Sequence, residues 1–239
     1  MRAVLCGANG AMGKLIDGIL GHEIIGRVSL DGENNVPRTF DELGTVEADV
    51  VIDFSHHTAV ADVLAYAKTI GAAAVIGTTG HTPEEKAMIT AAAAEIPVFF
   101  SGNMSLGIAV LCRLAKQAAA AFPDADIEIV EAHHIRKVDA PSGTALMLFN
   151  AIREVRPEAV ANCGRSGEGK RTKEEIGIHA LRMGNVVGIH EIHIHTGNQS
   201  LTLKHESGSR AMLADGAVAA ARFMLGKGKG LYNMESILG

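Results

Sequence analysis

The chain has no tryptophan, three cysteines and six prolines among 239 residues, and aromatic side chains make up only 4% of it. Cys6, Cys112 and Cys163 are odd in number and widely spaced, which excludes a CxxC metal knuckle and a disulfide framework and suggests a reducing compartment. Cys6 ends an apolar run and reads as a small core residue, not a reactive thiol. No run of 18 apolar residues occurs, so a membrane-spanning helix is not expected. The N-terminus opens directly on a strand pattern without the features of a signal peptide, and a cytoplasmic location follows. There is no Lys/Arg-rich stretch, and 22 basic residues face 27 acidic ones for a net charge of −5, which argues against nucleic acid as a partner. What remains is 47% hydrophobic and 21% charged, the balance of a globular protein with one large domain or two small ones. Its 27 glycines imply many tight turns or close backbone–ligand contacts.

The first hundred residues alternate strand and helix patterns. Ala3 to Cys6 is a short apolar run, followed by Gly7-Ala8-Asn9-Gly10-Ala11-Met12-Gly13 and a helical stripe through Leu15, Ile16, Ile19 and Leu20. A strand that enters a glycine-rich turn and then a helix is the context of a dinucleotide fingerprint, here spaced GxxGxxG. Further strands are expected over residues 23–28, 49–54, 73–77 and 97–100, with helices over 58–70 and 83–94 between them. Such repetition predicts a parallel sheet covered on both faces, with ligands beyond the carboxyl ends of the strands. At those ends lie the glycine turn, Asp53 to His56, Gly77-Thr78-Thr79 and Ser101-Gly102-Asn103-Met104. About 20 residues after the glycines, where an acid commonly receives the ribose 2′-hydroxyl, the chain has Ser29, Leu30 and Asp31. Ser29 facing the ribose would admit a 2′-phosphate and NADPH; Asp31 there would favour NADH. His56 and His57, at a helix entrance, read as hydrated capping residues.

The middle of the chain centres on residues 131–145, Glu-Ala-His-His-Ile-Arg-Lys-Val-Asp-Ala-Pro-Ser-Gly-Thr-Ala. Near-alternation of acidic and apolar residues from Asp126 to Glu131 predicts a half-buried strand that delivers His133 and His134 at its end. A helix follows, capped by Asp139 or Ser142, with Pro141 suited to its entrance and Ala145, Leu148, Phe149 and Ile152 as an apolar stripe. The amides of Ser142, Gly143 and Thr144 would then face outward at the positive end of the helix dipole, a seat for a carboxylate or phosphate. Beside it, two imidazoles and Lys137 can act as general acids.

The run His133-His134-x-x-Lys137-x-Asp139-Ala140-Pro141-Ser142-Gly143-Thr144-Ala145 resembles the motif of the 4-hydroxy-tetrahydrodipicolinate reductase (dihydrodipicolinate reductase) family. The closing Gly230-Leu-Tyr-Asn-Met segment is similar to that family's C-terminus, so the resemblance spans nearly the whole chain. It implies an oxidoreductase of lysine biosynthesis that uses NADPH or NADH to reduce a small cyclic dicarboxylate. On that resemblance His133 and Lys137 would be catalytic, and His134, Ser142, Gly143 and Thr144 would bind substrate. Gly7, Ala8, Asn9, Gly10, Ala11, Met12, Asp31, Gly77, Thr78, Thr79, Ser101, Gly102, Asn103 and Met104 would bind the cofactor. The chain departs from the family at Ala11, where Arg is frequent, and at Met104, where an aromatic residue is common.

The expected fold is α/β: a Rossmann-type parallel sheet formed by residues 1–104 and 208–239, and a second α+β domain, 105–207, for substrate binding and oligomerisation. Residues 105–122 and 209–225 read as helices, and Arg156 to Lys173 as an exposed, mobile loop. Strand patterns over 176–183, 186–196 and 199–206, with Gly184-Asn185 and Gly197-Asn198 as hairpin turns, join the strand before His133 in a mixed four-stranded sheet. An open sheet of this kind suits pairing between subunits, and the resembling family forms tetramers through such sheets. Glu191, His193 and His195 share a strand face, with His190 and His205 nearby. Alternation spreads these side chains in a row instead of converging them, so no metal site is expected.

Overall fold

The computed structural model describes all 239 residues and divides into two compact units, Met1–Ser105 with Ala211–Gly239, and Leu106–Arg210. The first unit carries six strands: β1 (Ala3–Cys6), β2 (Ile24–Val28), β3 (Val50–Asp53), β4 (Ala73–Ile76), β5 (Pro97–Phe100) and β11 (Gly230–Tyr232). They lie in the order β11-β5-β4-β3-β1-β2, and every neighbouring pair is parallel. All residues of β1, β3 and β4 are buried, as expected of short apolar strands covered on both faces.

Its helices are α1 (Ala11–Leu20), the short α2 (Phe40–Leu43), α3 (Val60–Ile70), α4 (Pro83–Ala92), α7 (Ala211–Phe223) and α8 (Met234–Ile237). Val63, Leu64 and Ala67 of α3 pack with Val51, Ala74 and Ile76 of the sheet in one apolar cluster. The start of α4 is fixed by a capping box, in which the Thr82 hydroxyl accepts from the Glu85 amide and the Glu85 carboxylate from the Thr82 amide, with Pro83 next. α1 packs against α7, so the sheet is finished by residues that follow the second unit in the chain.

The second unit holds α5 (Leu106–Ala121), β6 (Asp126–His133), α6 (Gly143–Arg153), β7 (Val160–Cys163), β8 (Glu175–Arg182), β9 (Ile189–His195) and β10 (Ser200–Glu206). Its sheet runs β10-β9-β6-β8-β7. β6 pairs parallel with β8 and antiparallel with β9. One face, carrying Ile127, Ile129, Ile176, Ile178, Ile192 and Ile194, is packed by Ile108 and Leu111 of α5 and by Leu148 and Ile152 of α6. Most of the alternate residues, among them Glu128, Val130, His179, Leu181 and His193, are half-buried or exposed, while Ala132 and Gly177 are buried.

Three expectations are corrected here. The second sheet has five strands, not four, because β7 lies inside the segment read as a mobile loop. It is an edge strand parallel to β8, and its residues, Val-Ala-Asn-Cys, are half-buried or exposed, so they carry no alternating apolar signal. Gly184-Asn185 does not close a hairpin, since β6 inserts between β8 and β9; a turn signal marks a reversal but not which strand fills the gap. The turn at Gly197-Asn198 does join the antiparallel pair β9–β10. Finally, Ser142 is the N-cap of α6, its hydroxyl accepting from the Ala145 amide at 3.2 Å, so Pro141 precedes the cap instead of opening the helix. No helix is long and apolar enough to cross a membrane.

Candidate active site

In the first unit, β1 runs into a turn whose glycines are sterically required. Gly7 has φ of 82°, and a Cβ there would run into the backbone of Phe54; one on Gly13 would meet the Gly7 carbonyl, so α1 lies close against the turn. Gly10 caps α1 without any side-chain hydrogen bond, and the first turn holds no acidic residue. The mouth of the helix therefore offers backbone donors and a positive dipole end with no internal anion, which fits a pyrophosphate. A Cβ on Gly10 would come 3.2 Å from the Gly7 carbonyl and begin to fill that mouth.

The Asn9 amide donates to Asp31 Oδ1 at 2.6 Å and to the Glu33 carbonyl at 3.0 Å. Hydrogen bonds from the Asn9 side chain and the Glu33 amide hold the exposed Asp31 carboxyl below its ordinary range. Ser29, by contrast, is buried. Of the two residues that could meet a ribose, the surface presents the acid.

A cavity of about 350 Å³ in the same unit is lined by Met12, Phe54, Ser55, the Gly77–Thr79 strand end and the segment Gly102 to Met104. It gathers three of the expected cofactor segments. Here the Thr78 hydroxyl accepts from the Ser55 amide at 3.0 Å, and the Ser101 hydroxyl donates to the Asn103 carbonyl at 2.7 Å, while Met104 is buried. A side chain at Gly77 would strike the Phe54 ring. Neighbouring histidines serve the scaffold. His56 caps a single helical turn before α3, and His57 Nδ1 lies 2.9 Å from Glu85, which joins that turn to the α4 capping box.

In the second unit, the apolar face of β6 continues Ile127, Ile129, Glu131, His133 by strand alternation. Glu131 is fully buried and accepts four hydrogen bonds. Oε1 receives Arg182 Nη2 at 2.8 Å and the Ser142 amide at 3.0 Å; Oε2 receives Arg182 Nη1 at 2.9 Å and lies 2.6 Å from His133 Nδ1. Burial pushes the Glu131 carboxyl up, but hydrogen bonds from Arg182, His133 and Ser142 outweigh it and hold the group below its ordinary range. On the next strand, the His190 ring stands edge-on to His133 at 5.1 Å, with Nε2 3.3 Å from the Ser142 hydroxyl. Burial, then the nearby His133, drives His190 down to about 4, so it is neutral near pH 7.

Lys137 lies in the loop between β6 and α6, where its ammonium pairs with Asp139 Oδ1 at 2.8 Å. That ion pair, with a contribution from the Gly143 amide, holds the Asp139 carboxyl below its usual range. An internal carboxylate thus sits against an ammonium and a helix-mouth amide, the donor set expected to receive a substrate carboxylate. No atom lies within 4 Å of where a Gly143 Cβ would stand, so the mouth is open there. Ser142 differs from Gly143. It is buried, its amide is committed to Glu131 and its hydroxyl to the helix cap.

β6 ends at His133, and His134 opens the loop that follows it. His134 lines a cavity of about 620 Å³ with Arg136, Asn185 and Arg210. Burial and then the charges of Arg136 and Arg210 push its imidazole down. The Glu191–His193–His195 row remains a row, with Glu191 3.2 Å from His193 and His195 bonded to Ser200.

Comparison with known proteins bears on this arrangement directly. A family profile described as dihydrodipicolinate reductase, N-terminus, matches residues 1–104, and one described as dihydrodipicolinate reductase, C-terminus, matches residues 107–238. The chain belongs to the dihydrodipicolinate reductase family. Among relatives of this family, the 4-hydroxy-tetrahydrodipicolinate reductase of Caldanaerobacter subterraneus subsp. tengcongensis is 42% identical, with 100% of this chain and 98% of that protein covered. That of Clostridium tetani is 40% identical over 100% and 97%. A solved dihydrodipicolinate reductase from Paenisporosarcina sp. TG-14, bound to dipicolinate, superposes with a TM-score of 0.80 at 25% identity, covering 98% of this chain and 97% of that one. Diaminopimelate dehydrogenase of C. glutamicum, at 13% identity and a TM-score of 0.57 over 100% and 95%, shares the fold.

Sequence reasoning gave Glu131 and Arg182 no role and considered His190 only beside the Glu191–His193–His195 row. Parity along β6 was the available signal, since Glu131 stands in register with Ile127 and Ile129, where an unpaired acid would be costly. Arg182 and His190 gave no comparable sign, because their approach to Glu131 depends on how β6, β8 and β9 are ordered.

Proposed function

We propose that this chain reduces 4-hydroxy-tetrahydrodipicolinate to tetrahydrodipicolinate with NADPH or NADH, in the diaminopimelate route of lysine biosynthesis. Substrate, one hydride and one proton give product and one water. The observation that carries the reading is the mouth of α6 with Lys137 and His133 beside it, in a chain about 40% identical over its full length to reductases of that name. Dipicolinate, bound by the Paenisporosarcina relative, is a cyclic diacid of the same kind.

The cofactor, when bound, supplies a hydride from its nicotinamide. The glycine turn and the first amides of α1 would hold its pyrophosphate, Asp31 its ribose, and Gly77 to Thr79 with Ser101 to Met104 its nicotinamide half. In the second unit, the Gly143 and Thr144 amides would take one substrate carboxylate, exchanging it for Asp139, with His134 assisting and Ser142 holding the helix mouth in shape. Lys137, released from Asp139, would protonate the ring as hydride arrives. His133 would serve as general acid or base at its free Nε2.

The half-buried outer face of the five-stranded sheet, with exposed Leu181, supports assembly of the chain into a homotetramer through that face. Its three free cysteines, one of them exposed, support a cytoplasmic location. Following nicotinamide absorbance with the freshly generated substrate and either cofactor tests the activity; no substrate-dependent oxidation of NADPH or NADH would refute it. Sedimentation of the purified chain tests the tetramer.

A further inference from the structure

We propose that Glu131 is the positioning residue of the reaction, a single buried carboxylate that orients the proton-carrying imidazole of His133 with one oxygen and the α6 mouth with the other. The inference rests on the activity proposed above and adds a residue to it. Glu131 joins three segments. It touches His133 on its own strand and Ser142 at the cap of α6, and it takes both arms of the Arg182 fork from β8, while Arg182 Nη2 also donates to the Asp139 carbonyl at 2.6 Å. Each oxygen accepts two donors, which fills the lone-pair directions of an ionised carboxylate.

An ionised carboxylate can only accept, so the His133 proton in the neutral ring must sit on Nδ1, and Nε2 is left as the working nitrogen. The ring is steadied from the other side by His190, whose own Nε2 meets the Ser142 hydroxyl. At Gly188 a Cβ would stand 3.3 Å from His133 Nε2, so the missing side chain keeps that nitrogen uncrowded. The Ser142 contact gives Glu131 its second effect. It pins the backbone one residue before Gly143, so the imidazole and the anion-binding amides are referred to one fixed point. The charged and titratable groups around His133 include Glu131, Arg182, His190 and His134, with Lys137 close to His190, and Glu131 is the one bonded to Nδ1.

Glu131→Gln tests this in the full chain. All four partners are donors, two on each oxygen, so whichever way the amide turns, its NH₂ faces two of them. The expected result is a kcat roughly 10²-fold lower, the lower end of a general acid's contribution, with NADPH affinity by nicotinamide fluorescence unchanged. In ¹⁵N spectra of the His133 ring, the wild-type pattern of a protonated Nδ1 and free Nε2 should give way to a mixture of tautomers. A kcat close to wild type would overturn the proposal. So would a loss of kcat with the tautomer intact, or a parallel loss of NADPH binding and thermal stability, which would mark Glu131 as structural only. If the variant does not fold, the wild-type spectrum decides: a neutral His133 protonated on Nε2 refutes the proposal. Absence of turnover by the wild-type chain would instead refute the substrate assignment, and the ring spectrum would still report the hold of Glu131 on His133.

Discussion

Replacing Lys137 by alanine should separate catalysis from stability cleanly. The Lys137 side chain is 22% exposed and its partner Asp139 51%, so their 2.8 Å ion pair is partly open to solvent. Pairs of this kind contribute about 0–1 kcal/mol to stability. For a chain of this size that shifts Tm by less than roughly 4 °C. Loss of a positioned proton donor costs about 10²- to 10⁴-fold in rate, or about 3–5 kcal/mol in the barrier. The catalytic effect therefore exceeds the structural one several-fold. The assay is kcat at saturating substrate and cofactor, with cofactor affinity and thermal unfolding measured on the same preparations. Alanine also leaves Asp139 without its cation beside the helix mouth, so the double variant Lys137→Ala/Asp139→Asn is the control. It should remain slow, because a neutral Asn removes the repelling charge but restores no proton donor. A single variant within roughly threefold of wild type would refute the role of Lys137. Recovery of kcat in the double variant would assign the loss to Asp139 instead.

Other perturbations follow from the same geometry. Asp139→Asn alone removes the internal carboxylate from Lys137 and Gly143, so KM for the diacid should fall several-fold, whereas a raised KM would mean that Asp139 does not compete with substrate. Asp31→Asn should raise the ratio of kcat/KM for NADPH over NADH, since an exposed carboxylate held in its charged form repels a 2′-phosphate; an unchanged ratio would remove Asp31 from the ribose site. Because His190 titrates near 4 in the folded chain against 6.5 ordinarily, the unfolded chain binds the extra proton between these values. Stability should therefore decline as pH falls from 6.5 towards 4, and His190→Gln should flatten that part of a denaturation-midpoint profile. Leu148→Ala, in the fully buried cluster beneath the five-stranded sheet, should destabilise the second unit by about 2–5 kcal/mol in urea unfolding.

Much of the first unit was legible because its signals are local. Short apolar strands, a glycine turn that only glycine can make and a Thr82-Pro83-x-Glu85 cap each act over a few residues. The second unit was legible in its elements but not in its order. Nothing between residues 175 and 195 tells β8 and β9 to stand on either side of β6, because that arrangement is decided by which strand buries most, and β6 with Ile127 and Ile129 takes the centre. β7 was invisible for the opposite reason, since an edge strand with little buried surface needs no pattern. In the site, the His133 to Thr144 segment could be read as one cationic loop and helix mouth. That His133 is tied to Glu131 and Arg182, while His134 lines a cavity with Arg136 and Arg210, depends on contacts about 50 or more residues away in sequence.

The six-stranded sheet is threaded from both ends of the chain, with the second unit inserted between Ser105 and Ala211. Consider a nascent polypeptide leaving the ribosome. When residue 210 has emerged, the inserted unit has every strand and helix it will ever own, while the earlier-made nucleotide sheet still lacks α7, which packs on α1, and the edge strand beside β5. The part synthesised second is thus the part first able to finish. The sheet made earlier must wait, with one border bare, until Gly230–Tyr232 has followed it out.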